Sequence, residues 1–118
     1  MITGASSGIG RDIALDFAKR GIDLILVGRN KEALEGVKST IDGKVKVKIV
    51  VVDLANVQKV KELYVLTHND DIDILVNNAG FGVFGEFSDI DLNTELNMLD
   101  VNIRALDMLC KFYLKDMI

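Results

Sequence analysis

The fold of this chain is decided by the stretch Thr3-Gly4-Ala5-Ser6-Ser7-Gly8-Ile9-Gly10 near its start. The stretch follows a short apolar run and precedes residues 8–20, whose apolar positions recur at helical spacing. A glycine-rich turn between a strand and a helix brings free backbone N–H groups and the positive end of the helix dipole together, which suits a phosphate. The alternative is a glycine-rich turn that holds no ligand.

Each glycine of this stretch has an expected purpose. We expect Gly4 to allow a tight turn off the strand, Gly8 to let a pyrophosphate approach the backbone, and Gly10 to let the helix pack close to the sheet. Ser6 and Ser7 add hydroxyl donors at the same place. The spacing, together with the strand and helix on either side, predicts a nucleotide site.

Short apolar runs and amphipathic stretches alternate along the rest of the chain. Helices are expected over residues 8–20, ending at Gly21, after the caps Asn30 and Asn56, and from residue 92 to the end; strands are expected over 1–3, 23–28, 45–52 and 72–76. This alternation predicts an α/β fold, a Rossmann-type doubly wound parallel sheet that is incomplete, with about four strands and four helices. The inward positions of the first three helices are predicted to be Ile9, Ile13, Ala14 and Phe17, then Leu34, Val37 and Ile41, then Val57, Val60, Leu63 and Leu66.

Composition excludes several classes of protein. The chain has 118 residues, 49% of them hydrophobic, and a net charge of -4, which fits one globular domain and argues against a nucleic-acid surface. Lys44, Lys46 and Lys48 alternate with apolar residues and are predicted to form the polar face of a strand. The sequence has no apolar run of about 18 residues, no metal-ligand spacing and a single cysteine, so we expect no membrane span, no metal and a reducing, cytoplasmic location.

Polar residues also follow the later strands. Arg29 stands where an acidic residue would bind the ribose hydroxyls of NAD, and its guanidinium suits the 2′-phosphate of NADP, although a solvated arginine is the alternative. Asp53 either accepts a bond from adenine or caps a helix. The turn at residues 77–80, Asn-Asn-Ala-Gly, leaves room for a ligand beyond the strand ends. Asn102 is an unusual residue inside a helix, although an asparagine at such a position is most often a plain surface residue.

Together, TGASSGIG, NNAG and the VNI segment around Asn102 resemble the short-chain dehydrogenase/reductase family, in its order and at about its spacing. The resemblance implies a Rossmann fold that binds NADP, with NAD as the alternative, and transfers hydride between the nicotinamide and a carbonyl or alcohol substrate. It also implies a phosphate site lined by Gly4, Ser6, Gly8, Ile9 and Gly10, with Ser7 beside them. Arg29 would bind the 2′-phosphate, Asp53 and Leu54 the adenine, and Asn78, Ala79 and Gly80 the ribose and nicotinamide side. Asn102 would be the catalytic asparagine that holds a water in the proton relay.

One part of the family pattern is missing. The family's acid/base is a tyrosine followed four residues later by a lysine, with a serine on the preceding strand, whereas Tyr64 is followed at that distance by His68 and Tyr113 by Met117. The first strand is short, and the last residues are still in helical register. We therefore expect residues 1–118 to be the N-terminal part of one NAD(P)-binding Rossmann domain, truncated at both ends and inactive alone.

Other functions and partners follow from the same residues. A non-catalytic module that binds a nucleotide or a partner is the alternative function, and a methyltransferase is disfavoured by the glycine spacing. The last helix has a wide apolar surface, and the resemblance implies that it builds a homo-oligomer interface. Four apolar residues of the loop before it either form a wall for a hydrophobic substrate or pack in the core, namely Phe81, Val83, Phe84 and Phe87.

Overall fold

The computed structural model describes all residues, 1–118. Its elements are β1 (Ile2–Thr3), α1 (Gly8–Lys19), β2 (Leu24–Gly28), α2 (Lys31–Ser39), β3 (Val47–Val51), α3 (Val57–Thr67), a 3₁₀ turn (Phe87–Asp89), α4 (Leu92–Leu99), a π-helical stretch (Asp100–Ala105) and α5 (Leu106–Met117). They form two compact units, which are described separately. The first unit is Met1–Val52 with Ile72–Ala79, and the second is Asp53–Asp71 with Gly80–Ile118.

The first unit contains a parallel sheet. β1 pairs with β2 and β2 pairs with β3, so the predicted α/β fold with a parallel sheet is confirmed. On its other side β1 meets the extended chain at a single parallel bridge, Ile2 to Val76. The fourth strand predicted at residues 72–76 is therefore only a bridge. The physical reason is that β1 is two residues long and offers few backbone groups for a longer ladder.

Backbone bonds still hold this extended segment against β1. The Thr3 amide donates to the Val76 carbonyl at 3.0 Å, and the Val76 amide donates to the Met1 carbonyl at 2.9 Å. The Met1 amino group donates to the Ile74 carbonyl at 2.7 Å. Burial lowers the pKa of that amino group to about 6, although the charge of Asp73 opposes the shift.

The core of the first unit lies between the sheet and its two helices. β2 is buried along almost its whole length, as a central parallel strand should be. A cluster of seven residues forms the core: Ile2, Ala5, Ala14, Leu24, Leu26, Leu34 and Val37. Ile13, Phe17 and Ile41 pack against this cluster, so the predicted inward faces of α1 and α2 are largely confirmed. Ile9 was predicted to point inward and does not, because it is 70% exposed in the first turn of α1.

Helix ends follow the predicted signals. The Asn30 side chain accepts the Ala33 amide at 3.1 Å and begins α2, and the Asn56 side chain accepts the Lys59 amide at 3.2 Å and begins α3. Gly21 has a φ of 78°, in the left-handed region that glycine adopts easily after the last turn of a helix. It therefore terminates α1 as expected.

In the second unit α3 packs against α5. Val60, Leu63 and Thr67 are the buried residues of α3. Leu66 was predicted to point inward, but it is 58% exposed. The spacing of the buried residues explains the error. Leu63 and Thr67, three and seven residues after Val60, lie on the same helix face as Val60, whereas Leu66 lies beside that face. The polar side chain of Thr67 can be buried there because its hydroxyl forms hydrogen bonds with the Leu63 carbonyl and the Tyr113 hydroxyl.

The helix predicted from residue 92 to the end is interrupted. α4 and α5 are joined by the π-helical stretch, in which Asp100 to Ala105 turn more widely than in an α-helix. The expectation of one regular helix was therefore wrong at its centre. None of the helices is both long and apolar enough to cross a membrane.

Candidate functional site

The glycines of the first loop are held by close contacts and by backbone conformation. Gly4 has a φ of 64°, and a Cβ there would lie 2.9 Å from the Ala79 Cα. A Cβ on Gly10 would overlap the Gly4 carbonyl oxygen and the Asn78 side chain, so α1 approaches this loop as closely as expected. Gly8 has a φ of 57° with open space around it. The loop therefore leaves room above its backbone, as a bound phosphate requires.

Thr3 and Asn78 tie this loop to the turn after the Val76 bridge. The Thr3 hydroxyl accepts the amides of Asn78 at 3.1 Å and Ala79 at 3.0 Å. The Asn78 side chain donates to the Gly4 carbonyl at 3.1 Å. Thr3 was not predicted as a site residue, and the only signal for it in the sequence is its place at the end of a strand. The structure thus brings Gly4, Gly10, Asn78 and Ala79 together around Thr3.

The N-terminus of α1 differs from those of the next three α-helices. Side chains of Asn30, Asn56 and Asp91 cap α2, α3 and α4, whereas Ser7 makes no side-chain cap for α1. The first turn of α1 also holds no acidic residue. Ser7, Gly8 and Ile9 are exposed. The amides of this turn, which have no partner inside a helix, therefore lie at the surface beside the open glycine.

Arg29 lies at the same edge of the sheet. It follows β2 directly and is exposed. β1 and β2 are parallel, and Thr3 is in register with Val27, so both strands end at this edge. The Ala5 amide bonds to the Val27 carbonyl at 3.2 Å and fixes the glycine loop there. Arg29 and the N-terminus of α1 therefore follow the ends of two neighbouring strands at one edge of the sheet.

Asp53 and Leu54 begin the second unit. Leu54 is buried, and Asp53 is exposed. The Asp53 carboxylate accepts the Ala55 amide at 3.0 Å, and its carbonyl accepts the Asn56 amide at 3.2 Å. Asp53 therefore shapes the turn before α3, while Asn56 is the cap, so the helix-capping alternative for Asp53 is wrong.

Asn102 lies in the π-helical stretch and holds the chain at Phe81. Its side-chain oxygen accepts the Phe81 amide at 3.0 Å, and its nitrogen donates to the Phe81 carbonyl at 2.7 Å. Gly80 is required beside it, because a Cβ at Gly80 would lie 2.8 Å from that oxygen. The structure thus joins two of the predicted site residues, Gly80 and Asn102, within the second unit.

The loop after Gly80 is open. Phe84 is 94% exposed and Phe87 is 78% exposed, while Val83 is half-buried. Core packing, one of the two alternatives for this loop, is therefore wrong for Phe84 and Phe87.

Neither tyrosine has the surroundings of a general acid/base. The pKa of Tyr64 is raised, mainly because its hydroxyl donates to the Asp116 carboxylate at 2.7 Å. Burial raises the pKa of Tyr113, although the hydrogen bond with Thr67 opposes that shift. The hydroxyl groups of both tyrosines are thus engaged in side-chain hydrogen bonds, with Asp116 and with Thr67. The structure contains no group of three or more His, Cys, Asp or Glu side chains that could hold a metal ion.

Comparisons with known proteins place this geometry in a family. The family model described as short chain dehydrogenase matches residues 1–118. An uncharacterised short-chain type dehydrogenase/reductase from Sinorhizobium fredii is 39% identical over 120 residues, which cover 100% of this chain and 45% of the relative. A 7beta-hydroxysteroid dehydrogenase from Clostridium sardiniense is 33% identical, over 97% of this chain and 44% of that protein.

A solved structure shows the same fold. L-sorbose reductase from Gluconobacter frateurii, complexed with NADPH and L-sorbose, superposes with a TM-score of 0.89 at 32% identity. The superposition covers 98% of this chain and 46% of the reductase. The chain therefore spans less than half the length of each of these three relatives. Given the glycine loop, the parallel sheet and a family match along its whole length, this chain belongs to the short-chain dehydrogenase/reductase family.

Proposed function

We propose that this chain binds NADP, with the pyrophosphate at the N-terminus of α1. One observation carries the proposal, namely that α1 begins without a side-chain cap beside Gly8, where open space lies over a left-handed backbone. Helix N-terminal amides and a positive dipole end favour an anion at that point. Gly4, Ser6, Ser7, Ile9 and Gly10 would line the phosphate site with it. The NADPH bound to the related L-sorbose reductase supports the choice of ligand.

Arg29 would select NADP over NAD. A forked guanidinium makes charge-assisted bonds to a phosphate, and an acidic residue suited to NAD is absent from this position. We expect Arg29→Ala to weaken NADPH binding at least about tenfold and to leave NADH binding within about twofold. Calorimetric titration of the 118-residue chain measures both affinities.

Lys31→Ala is the matched control, since Lys31 is an exposed cation two residues away. It should leave both affinities unchanged. Equal losses for NADPH and NADH in the Arg29→Ala chain would contradict the selectivity, and no binding of either nucleotide by the wild-type chain would contradict the whole proposal.

Residues that follow the later strands would serve the rest of the cofactor and the reaction. Asp53 and Leu54 would contact adenine, and Asn78, Ala79 and Gly80 would border the ribose and nicotinamide. Asn102 would act as the catalytic asparagine. Its amide oxygen already accepts the Phe81 amide, and a carbonyl oxygen has a second lone pair that a relay water can use.

The parent activity would be hydride transfer between the nicotinamide and a carbonyl or alcohol. The cofactor supplies the hydride chemistry when bound, and the chain's own residues bind and orient it. We propose that residues 1–118 form the N-terminal part of the domain, because the relatives are more than twice as long. The serine and the Tyr-x-x-x-Lys would follow residue 118, and a downstream reading frame that lacks both would contradict this.

A non-catalytic nucleotide-binding module remains the second candidate. The observation in its favour is that the hydroxyl groups of both tyrosines are engaged in hydrogen bonds with other side chains, Asp116 and Thr67. A turnover assay with NADPH and a ketone separates the two functions when it is made on a chain extended beyond residue 118. We expect no reduction by the 118-residue polypeptide and reduction by a chain extended with the missing motif.

The apolar surface of α4, the π-helical stretch and α5 would form a homo-oligomer interface. Its exposed members recur at alternating spacings of four and three residues: Leu92, Leu96, Leu99, Ile103 and Leu106. That spacing is typical of a helix that packs against another helix. Exposed apolar stripes of this kind mark contact surfaces in soluble proteins.

A further inference from the structure

Arg104 bridges the π-helical stretch and the turn that precedes α3. Its Nη2 donates to the Ala55 carbonyl at 2.8 Å. The same nitrogen lies 3.3 Å from the Asp100 carboxylate, four residues earlier in the chain. All three residues belong to the second unit. One guanidinium therefore links the stretch that carries Asn102 to a loop that is 49 residues away in sequence.

The turn that Arg104 reaches contains Asp53 and Leu54. Its other bonds are local, from the Ala55 amide to the Asp53 carboxylate and from the Asn56 amide to the Asp53 carbonyl. Both bonds lie inside the turn and cannot fix its place against the π-helical stretch. The bond from Arg104 to the Ala55 carbonyl ties the turn to that stretch and adds a polar contact to the burial of Leu54.

Asp100 orients the arginine for this task. A guanidinium is planar and presents several donors in a rigid fork, so one face can meet a carboxylate while another N–H points at a carbonyl. The Asp100–Arg104 pair is partly exposed, so it contributes little to stability. The ion pair instead restricts the Arg104 side chain to rotamers in which the guanidinium reaches the Ala55 carbonyl.

We propose that Arg104 is a positioning residue that holds the Asp53–Leu54 turn in the conformation that binds the adenine end of the cofactor. This inference rests on the proposed function, in which Asp53 and Leu54 contact adenine. The partners of Arg104 in the structure are the Ala55 carbonyl and the Asp100 carboxylate. Arg104 acts through the Ala55 carbonyl, and it joins the adenine side of the site to the stretch that holds Asn102.

The first test measures the loop without a ligand. Arg104→Met keeps a long side chain and removes the guanidinium, so the amides of Ala55 and Asn56 should exchange with solvent hydrogen at least about threefold faster. The Ala33 amide, bonded to Asn30 in the first unit, should not change. Arg20→Met is the matched control, because Arg20 pairs with Asp16 at 2.9 Å with the same four-residue spacing and no loop carbonyl is involved. Unchanged exchange at Ala55 and Asn56 would overturn the inference.

The second test measures binding of two halves of the cofactor. Titrations with 2′,5′-ADP and with reduced nicotinamide mononucleotide report the adenine and nicotinamide ends separately. Arg104→Met should weaken 2′,5′-ADP and NADPH about tenfold and leave the mononucleotide unchanged. Arg104→Lys keeps the positive charge and a hydrogen-bond donor, so its affinity for 2′,5′-ADP and NADPH should fall less than that of Arg104→Met. The same variant tests the inference if Arg104→Met fails to fold.

The outcomes separate this inference from the proposed function. Wild-type binding of NADPH with an unchanged affinity in Arg104→Met would overturn the positioning role alone. Equal losses for the two half-cofactors would overturn it as well, because a general loss of structure would then explain them. No nucleotide binding by the wild-type chain would overturn both the proposed function and the adenine role of Arg104.

Discussion

Gly10 and Gly36 are both helical glycines, yet their surroundings differ. A Cβ at Gly10 would overlap the Gly4 carbonyl and the Asn78 side chain, whereas a Cβ at Gly36 would meet nothing within 4 Å. We expect Gly10→Ala to lower the free energy of unfolding by about 2 kcal/mol through overpacking. Gly36→Ala should raise it by about 0.5–1 kcal/mol, because alanine is the better helix former. Urea unfolding measures both.

This pair of variants is its own control, since the same substitution is made in α1 and in α2. Destabilisation of similar size in both variants would mean that the close contacts around Gly10 do not cause the loss of stability. Gly10→Ala should also weaken NADPH binding, because the displaced atoms belong to Gly4 and Asn78.

Single residues show where sequence reasoning succeeds. The uses of Gly4 and Gly10 followed from their spacing in a strand–turn–helix context, and the structure gives each the expected close contact. Thr3 could not be assigned, because its hydroxyl serves two amides from a segment 75 and 76 residues away. The predictions that Ile9 and Leu66 point inward were wrong. Helical periodicity places a residue near the buried face but does not show where that face ends.

At the scale of elements, the π-helical stretch depends on the loop before it. Gly80→Ala would push the Asn102 oxygen away from its bond with the Phe81 amide. We expect faster hydrogen exchange at the Phe81 amide and a loss of about 1 kcal/mol in the free energy of unfolding. Amide exchange followed by nuclear magnetic resonance measures the first effect and chemical denaturation the second.

Gly82→Ala provides the comparison, because a Cβ at Gly82 would meet only the Phe84 ring, at 3.4 Å. Phe84 is almost fully exposed and can move aside. If both variants leave the Phe81 amide protected to the same extent, Gly80 is not required by Asn102.

Elements were predictable in order and type, and less so in detail. The periodic stripes located α1, α2 and α3, and the asparagine caps set two of their starts. The π-helical stretch was missed because its residues have the same apolar spacing as an α-helix, and Asn102 holds Phe81 through long-range bonds that local sequence does not show. The segment at residues 72–76 reads as a strand, but its pairing depends on the short β1.

At the scale of the whole molecule, the exposed apolar stripe predicts self-association. Ile103 is 61% exposed near the middle of this stripe. We expect Ile103→Glu to lower the average mass of the 118-residue chain toward that of a monomer, because a buried charge in a helix interface is costly. Light scattering over a range of concentrations measures the mass.

Asn97→Glu is the control for this variant, since Asn97 is exposed on α4 and gains the same charge outside the stripe. It should leave the mass unchanged. A wild-type chain that stays monomeric at every concentration would contradict an interface on this surface.

Family membership was the most accessible property at this scale. Three short motifs in the family's order were enough, and the family model matches residues 1–118. The role of Asp53 was harder to predict, since an acidic residue after a strand can shape a turn, cap a helix or bind a ligand. Only the bonds from the Ala55 and Asn56 amides show that Asp53 shapes a turn and does not cap α3.

The alternating lysines before and within β3 have one more consequence. β3 pairs on one side only, with β2, so its other side is an open edge of the sheet. Lys44, Lys46 and Lys48 are exposed along that segment. A second chain that tried to add its own β3 there would bring rows of like charge together, which natural sheets use to prevent aggregation into fibrils. The lysines therefore disfavour assembly of two copies through the open edge of β3.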